Sequence, residues 1–424
     1  MNEAFLYYLW KFRLYNSEQL QTQAGETIQV IHPGQQNTDS GPDFFNAKVR
    51  IGETLWAGNV EIHVKADDWE KHGHVNDHAF DNTILHVVHE GVHEIKRKDN
   101  SIIPVLQLKN IFEATRWKQY EQFISSNTWI PCANQIHTVD TLTIQQTIDR
   151  MLTERMERKV KQIETLLQQN KGSWEESFYQ QLARNFGFKT NAVPFELLTQ
   201  SLPLNILAKH KNSLLQIEAL IFGQAGMLNK QLKDDYAKQL FSEYNFLKEK
   251  FKLQPIESHL WKFARMRPPN FPTIRLAQFV QLIFHSSHLF SKVLATTNYK
   301  DLQKLFAIST SDYWKTHFVF DKATTTSEKH LGKSSIENIL INTLAPFLFY
   351  YGQQKNETHQ TDKALQWLEQ CSPENNITIK GWNELSVEAN SAYQSQALLQ
   401  LKNEYCNAKK CLTCSIGLKL LQTK

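Results

Sequence analysis

Near residue 138 the chain changes its hydrophobic period, and that change constrains the fold more than any other feature. Before it, short β-rich runs alternate with Gly, Pro and Asn turns. After it, apolar residues recur every three or four positions to the end. The expected class is therefore α+β, a β-rich part followed by a large all-α region. No internal repeat, low-complexity tract or long linker interrupts the 424 residues. The segments expected are 1–138, 139–255 and 256–424.

Composition removes several classes. With 15 Gly, 12 Pro and 41% hydrophobic residues, the chain is neither collagen-like nor broadly disordered. It lacks an 18-residue apolar run; the richest stretch, Ile341–Tyr351, is short and holds Asn342 and Pro346, so no membrane partner is expected. The start, MNEAFLYYLWKF, carries Glu3 and no basic leader, which points to a cytoplasmic protein. A formal charge of +4 does not by itself argue for nucleic acid, although a local basic groove is compatible with it. Five cysteines are too few for a disulfide framework.

The pattern predicts a helix over 3–20, strands at 27–32, 44–51 and 55–65, an imperfect helix over 66–79, and strands at 83–89 and 102–108. Gly52-Glu53 supplies a hairpin turn, and Gly58 marks a bulge or close approach. A long charged helix is predicted over 141–169, another over 174–186, and further helices to the C-terminus. The segment Arg265–Arg275 contains Pro268, Pro269 and Pro272 and reads as an ordered loop before a helix.

The informative stretch is SGPDFFNAKVRIGETLWAGNVEIHVK, residues 40–65. Asp43 opens the second strand and Glu61 lies on the third, so a hairpin brings both toward one sheet edge. Side chains alternate along a strand. Glu61, His63 and Lys65 therefore share one face, and Val60, Ile62 and Val64 the other. Seven histidines follow closely: His63, His72, His74, His78, His86, His89 and His93. The His72-x-His74 pair suits a transition metal, a phosphate contact when protonated, or a plain surface cluster. His86, inside the apolar TILHVVH run, reads as a buried, hydrogen-bonded histidine unless it faces the same cleft as Glu61.

Pro42-Asp43 and Glu61, set in the order helix, three strands, helix, strand, resemble the PD-(D/E)xK nuclease superfamily. The resemblance implies a restriction-endonuclease-like αβββαβ core with Asp43 and Glu61 as ligands of Mg²⁺ or Mn²⁺. It departs at the usual lysine slot, which holds His63, with Lys65 two residues further on. Such an ion takes oxygen ligands and lowers the pKa of its water. On this reading His63 orients or deprotonates that water, and Lys65 stabilises charge on the phosphate. In the bland alternative Asp43 caps a turn, and Glu61 and Lys65 form an exposed cross-strand pattern.

The second constellation is Cys406-x4-Cys411-x2-Cys414, with Cys132 as the candidate fourth ligand. Such thiolates hold Zn²⁺ or an Fe-S cluster, and the alternative is reduced thiols in a helical core. Some members of the nuclease superfamily carry an iron–sulfur staple of one distant and three clustered cysteines, with different spacing. Arg265, Arg267 and Arg275 either present guanidinium groups to phosphates or pack a helix start.

Over nearly its whole length the chain is also similar to an uncharacterised bacterial family, domain of unknown function 2851. The residues that carry this include GPDFFNAKV, TILHVVHE, RMRPPNFPTIRLAQ and YCNAKKCLTCSIG. That likeness supplies no activity. The leading expectation is a metal-dependent nuclease acting on DNA, with Asp43, Glu61, His63 and Lys65 at its centre, contacts from His72, His74, Arg265, Arg267 and Arg275, and a cysteine-held ion. Its rivals are a non-catalytic nucleic-acid-binding or scaffold protein that retains the fold, and a hydrolase with a transition metal at His63, His72 and His74.

Overall fold

The computed structural model describes residues 1–74, 77–91, 93–97 and 100–422. It is a mixed α+β protein with an N-terminal sheet and a large helical region. By its contacts the chain forms two compact units. Unit 1 is Met1–Thr147 with Leu401–Lys424, and unit 2 is Ile148–Gln400. This partition differs from the three successive segments expected. The helical part is one unit, and the final stretch with its cysteines belongs with the β-rich part.

In unit 1, helix α1 (Glu3–Phe12) is capped by the Asn2 side chain, which accepts from the Phe5 N–H. It stops well short of residue 20 because Arg13 turns left-handed, with φ 53°. The strands are β1 (Ile28–His32), β2 (Gln35–Gln36), β3 (Phe44–Ile51), β4 (Thr54–Lys65), β5 (Thr83–Glu90), β6 (Ile95–Lys96), β7 (Ile102–Ile103) and β8 (Val105–Gln107). Pro104 has no N–H to give a ladder, and it splits the single strand expected over 102–108.

The main sheet runs β1-β3-β4-β5-β8, with β2 beside β3. The β1/β3 and β3/β4 pairs are antiparallel, and β4/β5 and β5/β8 are parallel. A parallel neighbour needs a crossover. Residues 66–82 supply it, with only one helical turn, α2 (Asp68–Lys71), and a 3-10 turn at His78–Phe80. The longer helix expected over 66–79 ends at Gly73, whose φ of +76° no helix accommodates; Val75 and Asn76 lie outside the described residues.

Gly58 on β4 marks a close approach. A Cβ there would sit 2.4 Å from Ile84 Cγ2 and 2.6 Å from the Asn82 carbonyl oxygen. That oxygen accepts the Asn59 N–H at 2.9 Å and has no freedom to withdraw. Gly58→Ala should therefore cost about 1–3 kcal/mol through overpacking at the β4/β5 junction. Urea unfolding checks this, and a change within experimental error would refute the constraint.

Helix α3 (Ala114–Ser125) and the C-terminal helix Ser415–Gln422 complete unit 1 and pack together. The Arg116 guanidinium donates to the Leu421 carbonyl at 3.1 Å. The helix Thr141–Gln169 has the limits its sequence predicts, as does Trp174–Phe186, where Ser173 accepts the Glu176 N–H. Unit 2 is all helical apart from one short hairpin, His317–Ala323. Its core is aromatic, with Phe178, Phe186, Phe195 and Phe279 fully buried. Among the described residues no helix is long and apolar enough to cross a membrane.

Candidate metal centre

Strand β4 is buried on both faces at its C-terminal half. Val60 and Ile62 are inaccessible, yet Glu61 is only 5% exposed and His63 only 1%. The polar face of this strand is therefore covered at Glu61 and His63. Burying such groups is costly unless they have partners.

The first partner of Glu61 is Asp43. The register pairs Phe44 with Val60 and then slips, so that Ala47 pairs with Gly58. The slip is a β-bulge in β3, where Asn46 takes φ 55°. Just before the bulge the two strands clasp each other. The Asp43 N–H donates to Glu61 Oε2 at 3.0 Å, and the Ile62 N–H donates to Asp43 Oδ2 at 2.9 Å. The Tyr7 hydroxyl, from α1, also bonds the Asp43 carboxylate.

Burial pushes the Asp43 carboxyl up to about 6, offset in part by the Tyr7 and Ile62 bonds. Burial, with the Asp43 charge next, pushes Glu61 up to about 9. Two carboxylates in a poorly solvated site do not both ionise unless a cation joins them.

The second set of partners is histidine. Gly73 turns the chain after α2 so that His72 and His74 return toward β4; no atom lies within 4 Å of its missing Cβ, so glycine serves the backbone angle and not space. His63 Nε2 lies 3.1 Å from His72 Nδ1, and His63 Nδ1 lies 2.8 Å from His86 Nε2. His74 Nε2 is 3.3 Å from Glu61 Oε1, and His63 Nε2 is 3.6 Å from the same oxygen. Trp69 and Phe80 wall the cluster, with ring centroids 5.3 Å and 3.9 Å from His74.

Burial and the neighbouring imidazoles lower His63 to about 3, and burial with His63 lowers His86 to about 3. Both shifts leave these imidazoles uncharged at neutral pH. As a neutral imidazole His63 is a ligand or a hydrogen-bond relay. His86 is buried, bonded to His63, and paired across the sheet with Glu61. It is thus a buried, hydrogen-bonded histidine beside Glu61.

Residues 3–377 match the profile of a family described as a protein of unknown function, DUF2851. The chain belongs to that family. No curated protein and no solved structure matches it. The matched span of DUF2851 contains the carboxylates, the histidines and Cys132, and it ends before Cys406, Cys411 and Cys414.

Other expected site residues of this DUF2851 chain fall elsewhere. Lys65 ends β4 opposite Glu90, exposed; its N–H donates to Asp68 Oδ2 at 3.1 Å, and among the described residues no contact joins it to Asp43 or Glu61. The strand that carries Glu61 inward runs out to solvent two residues past His63, where Lys65 is exposed. Arg275 lies in unit 2. It is 7% exposed, with its guanidinium donating to Gln278 Oε1, Asn270 Oδ1 and Ser335 Oγ at 3.0, 2.6 and 3.1 Å and lying over the Phe188 ring. These contacts pack it against the helix start. Arg265 and Arg267 are exposed in unit 2.

All five cysteines are free thiols. Burial and the nearby Cys414 and Cys411 push Cys132 up to about 12. Burial and Cys414 push Cys411 to about 12, and Cys406 is raised by burial and by the other three sulfurs. The four expected ligands are thus neighbours in unit 1. Among the described residues, however, the metal-ligating atoms gathered within 4.8 Å of one another are those of His63, His72 and His74. Cys371 stands apart, near the Tyr299 hydroxyl at 3.2 Å.

Sequence reading missed Tyr7 and the electrostatic influence of Glu3 on Asp43. Their i, i+4 spacing on α1, which places two polar groups on one stripe of an otherwise apolar helix, was the available signal.

Proposed function

We propose that the chain is a metal-dependent phosphodiester hydrolase acting on DNA, with the ion held at Asp43 and Glu61. The observation that carries this reading is the reciprocal clasp of the two buried carboxylates across β3 and β4. The strand order supports it: three antiparallel strands, a crossover and a parallel fourth strand are the arrangement that the PD-(D/E)xK resemblance implies. A bound divalent ion supplies Lewis acidity and a water of lowered pKa. Asp43 and Glu61 bind it, Tyr7 orients Asp43, and His63 fills the place of the usual lysine.

The cysteines Cys132, Cys406, Cys411 and Cys414 would hold a second, structural ion or cluster, Zn²⁺ or Fe-S, which ties the C-terminal stretch to unit 1. Their mutual proximity and burial support this. The exposed, distant Lys65 favours a second reading, a nucleic-acid-binding scaffold without turnover.

Incubating the full-length protein with DNA and Mg²⁺ or Mn²⁺, beside Asp43→Ala, decides between them. The expected result is ion-dependent cleavage that falls by at least ~10²-fold in the variant. Cleavage no greater than that of the variant with either ion would discard the hydrolase reading and leave the scaffold.

A further inference from the structure

The histidines around Glu61 form a more defined ion site than the carboxylate pair alone. We propose that His63, His72 and His74, with Glu61 Oε1 beside His63 and His74, make a site for a Zn²⁺-class transition-metal ion. This goes beyond the hydrolase reading, with which it shares Glu61, and it holds whether or not the protein cleaves DNA.

The first argument is dimensional. A tetrahedral ion with bonds of about 2.0–2.1 Å to nitrogen or oxygen sets its ligand atoms about 3.3–3.4 Å apart. His63 Nε2 and His72 Nδ1 are 3.1 Å apart, His74 Nε2 and Glu61 Oε1 3.3 Å, and His63 Nε2 and Glu61 Oε1 3.6 Å. The ligand atoms of His63, His72 and His74 all lie within 4.8 Å of one another, and Glu61 Oε1 adjoins two of them.

The second argument is an unmet need. His74 Nε2 is buried and has no hydrogen-bond partner, although Glu61 Oε1 lies 3.3 Å away. The two atoms approach without the alignment of a hydrogen bond. A buried polar nitrogen left in this state costs ~1–3 kcal/mol. An ion bound between the two atoms satisfies both.

The third argument is the outer partner. Metal-binding histidines characteristically use their second ring nitrogen in a hydrogen bond that fixes the tautomer. His63 does so through Nδ1 to His86 Nε2 at 2.8 Å. In the liganded form the His63 proton sits on Nδ1 and the Nε2 lone pair faces the ion. Three imidazoles and one carboxylate also select the ion. They suit Zn²⁺ or Co²⁺, whereas Mg²⁺ requires an oxygen shell.

Co²⁺ is the probe, because its visible spectrum distinguishes nitrogen and oxygen ligands from the thiolate charge-transfer bands that the cysteines would give. The metal-stripped full-length protein should take up Co²⁺ with a nitrogen/oxygen d–d spectrum. His74→Ala and His72→Ala should weaken that binding by more than the ~10–100-fold that loss of an outer partner costs. His78→Ala, at an exposed position, should leave it intact. Asp43→Ala should retain the spectrum, since the backbone N–H of residue 43 still holds Glu61; lost cleavage with retained Co²⁺ separates the two readings. If His74→Ala fails to fold, the exposed His72 decides the matter. A spectrum unchanged by His72→Ala, or one with thiolate bands alone, overturns the proposal.

Discussion

Replacing Glu61 by Gln should make the metal-free protein more stable at neutral pH while eliminating ion-dependent cleavage. The Glu61 carboxyl has an ordinary pKa of 4.5 and is raised to about 9 in the fold, first by burial and then by Asp43. The folded state therefore holds this proton more tightly than the unfolded chain does. The resulting stability is complete below pH 4.5 and is lost as the pH rises toward 9. At pH 7 the loss amounts to about 3 kcal/mol. Glutamine has no proton to lose and escapes it. The stability advantage of Glu61→Gln over the native chain should grow by about 1.4 kcal/mol per pH unit between pH 5 and 8.5. Paired urea unfolding curves at pH 5, 7 and 8.5 measure it. Comparing the two chains cancels titrating groups remote from Glu61, including the buried Lys159, whose pKa burial lowers. A pH-independent difference would mean that Glu61 is solvated and free of its neighbours. An ion reverses the penalty, because it displaces the proton and binds the carboxylate.

The second large effect is expected at the cysteines. Leu401–Lys424 returns to unit 1 after the whole of unit 2, Ile148–Gln400, and closing so long an excursion carries an entropic cost. Several polar ties hold it, among them the Lys409 ammonium donating to the Ile124 carbonyl. Arg116 bonds the Leu421 carbonyl, and the Lys419–Asp140 pair at 3.2 Å is about half exposed. A solvent-exposed pair of that kind contributes little. A metal ion or cluster at Cys132, Cys406, Cys411 and Cys414 would contribute far more. Cys411→Ser combined with Cys414→Ser should then lower stability by at least ~3 kcal/mol, or about 6–12 °C in Tm. Elemental analysis should show the loss of Zn or Fe in parallel. If the sulfurs only pack, the double variant loses less than about 1 kcal/mol and the metal content does not change.

Much of the local structure was legible. β3 and the helices Thr141–Gln169 and Trp174–Phe186 have the limits their periods predict. Errors fall where one backbone angle outweighs a pattern: Arg13 cuts α1 short, Pro104 divides a strand, and Gly73 reduces a helix to one turn. The helix Ala114–Ser125 was missed because only Tyr120 and Phe123 of its residues are buried, which leaves little periodic signal. At the site, strand alternation put Glu61 and His63 on one face. It also placed Lys65 there, since alternation does not register where a strand leaves the core.

Period two along β4 and the residues flanking Gly73 are properties of neighbours in the chain, so the face shared by Glu61 and His63, and the fact that the helix breaks, could be read directly. Convergence could not. The slip at Asn46 that clasps Asp43 to Glu61, the return of His74 to that oxygen, and the gathering of Cys132 with a stretch from the opposite end of the chain depend on packing between segments remote in order. Burial then sets the chemistry. Once water is excluded, a carboxylate that would ionise at acid pH keeps its proton, and imidazoles that would charge near neutrality stay bare and able to bind an ion.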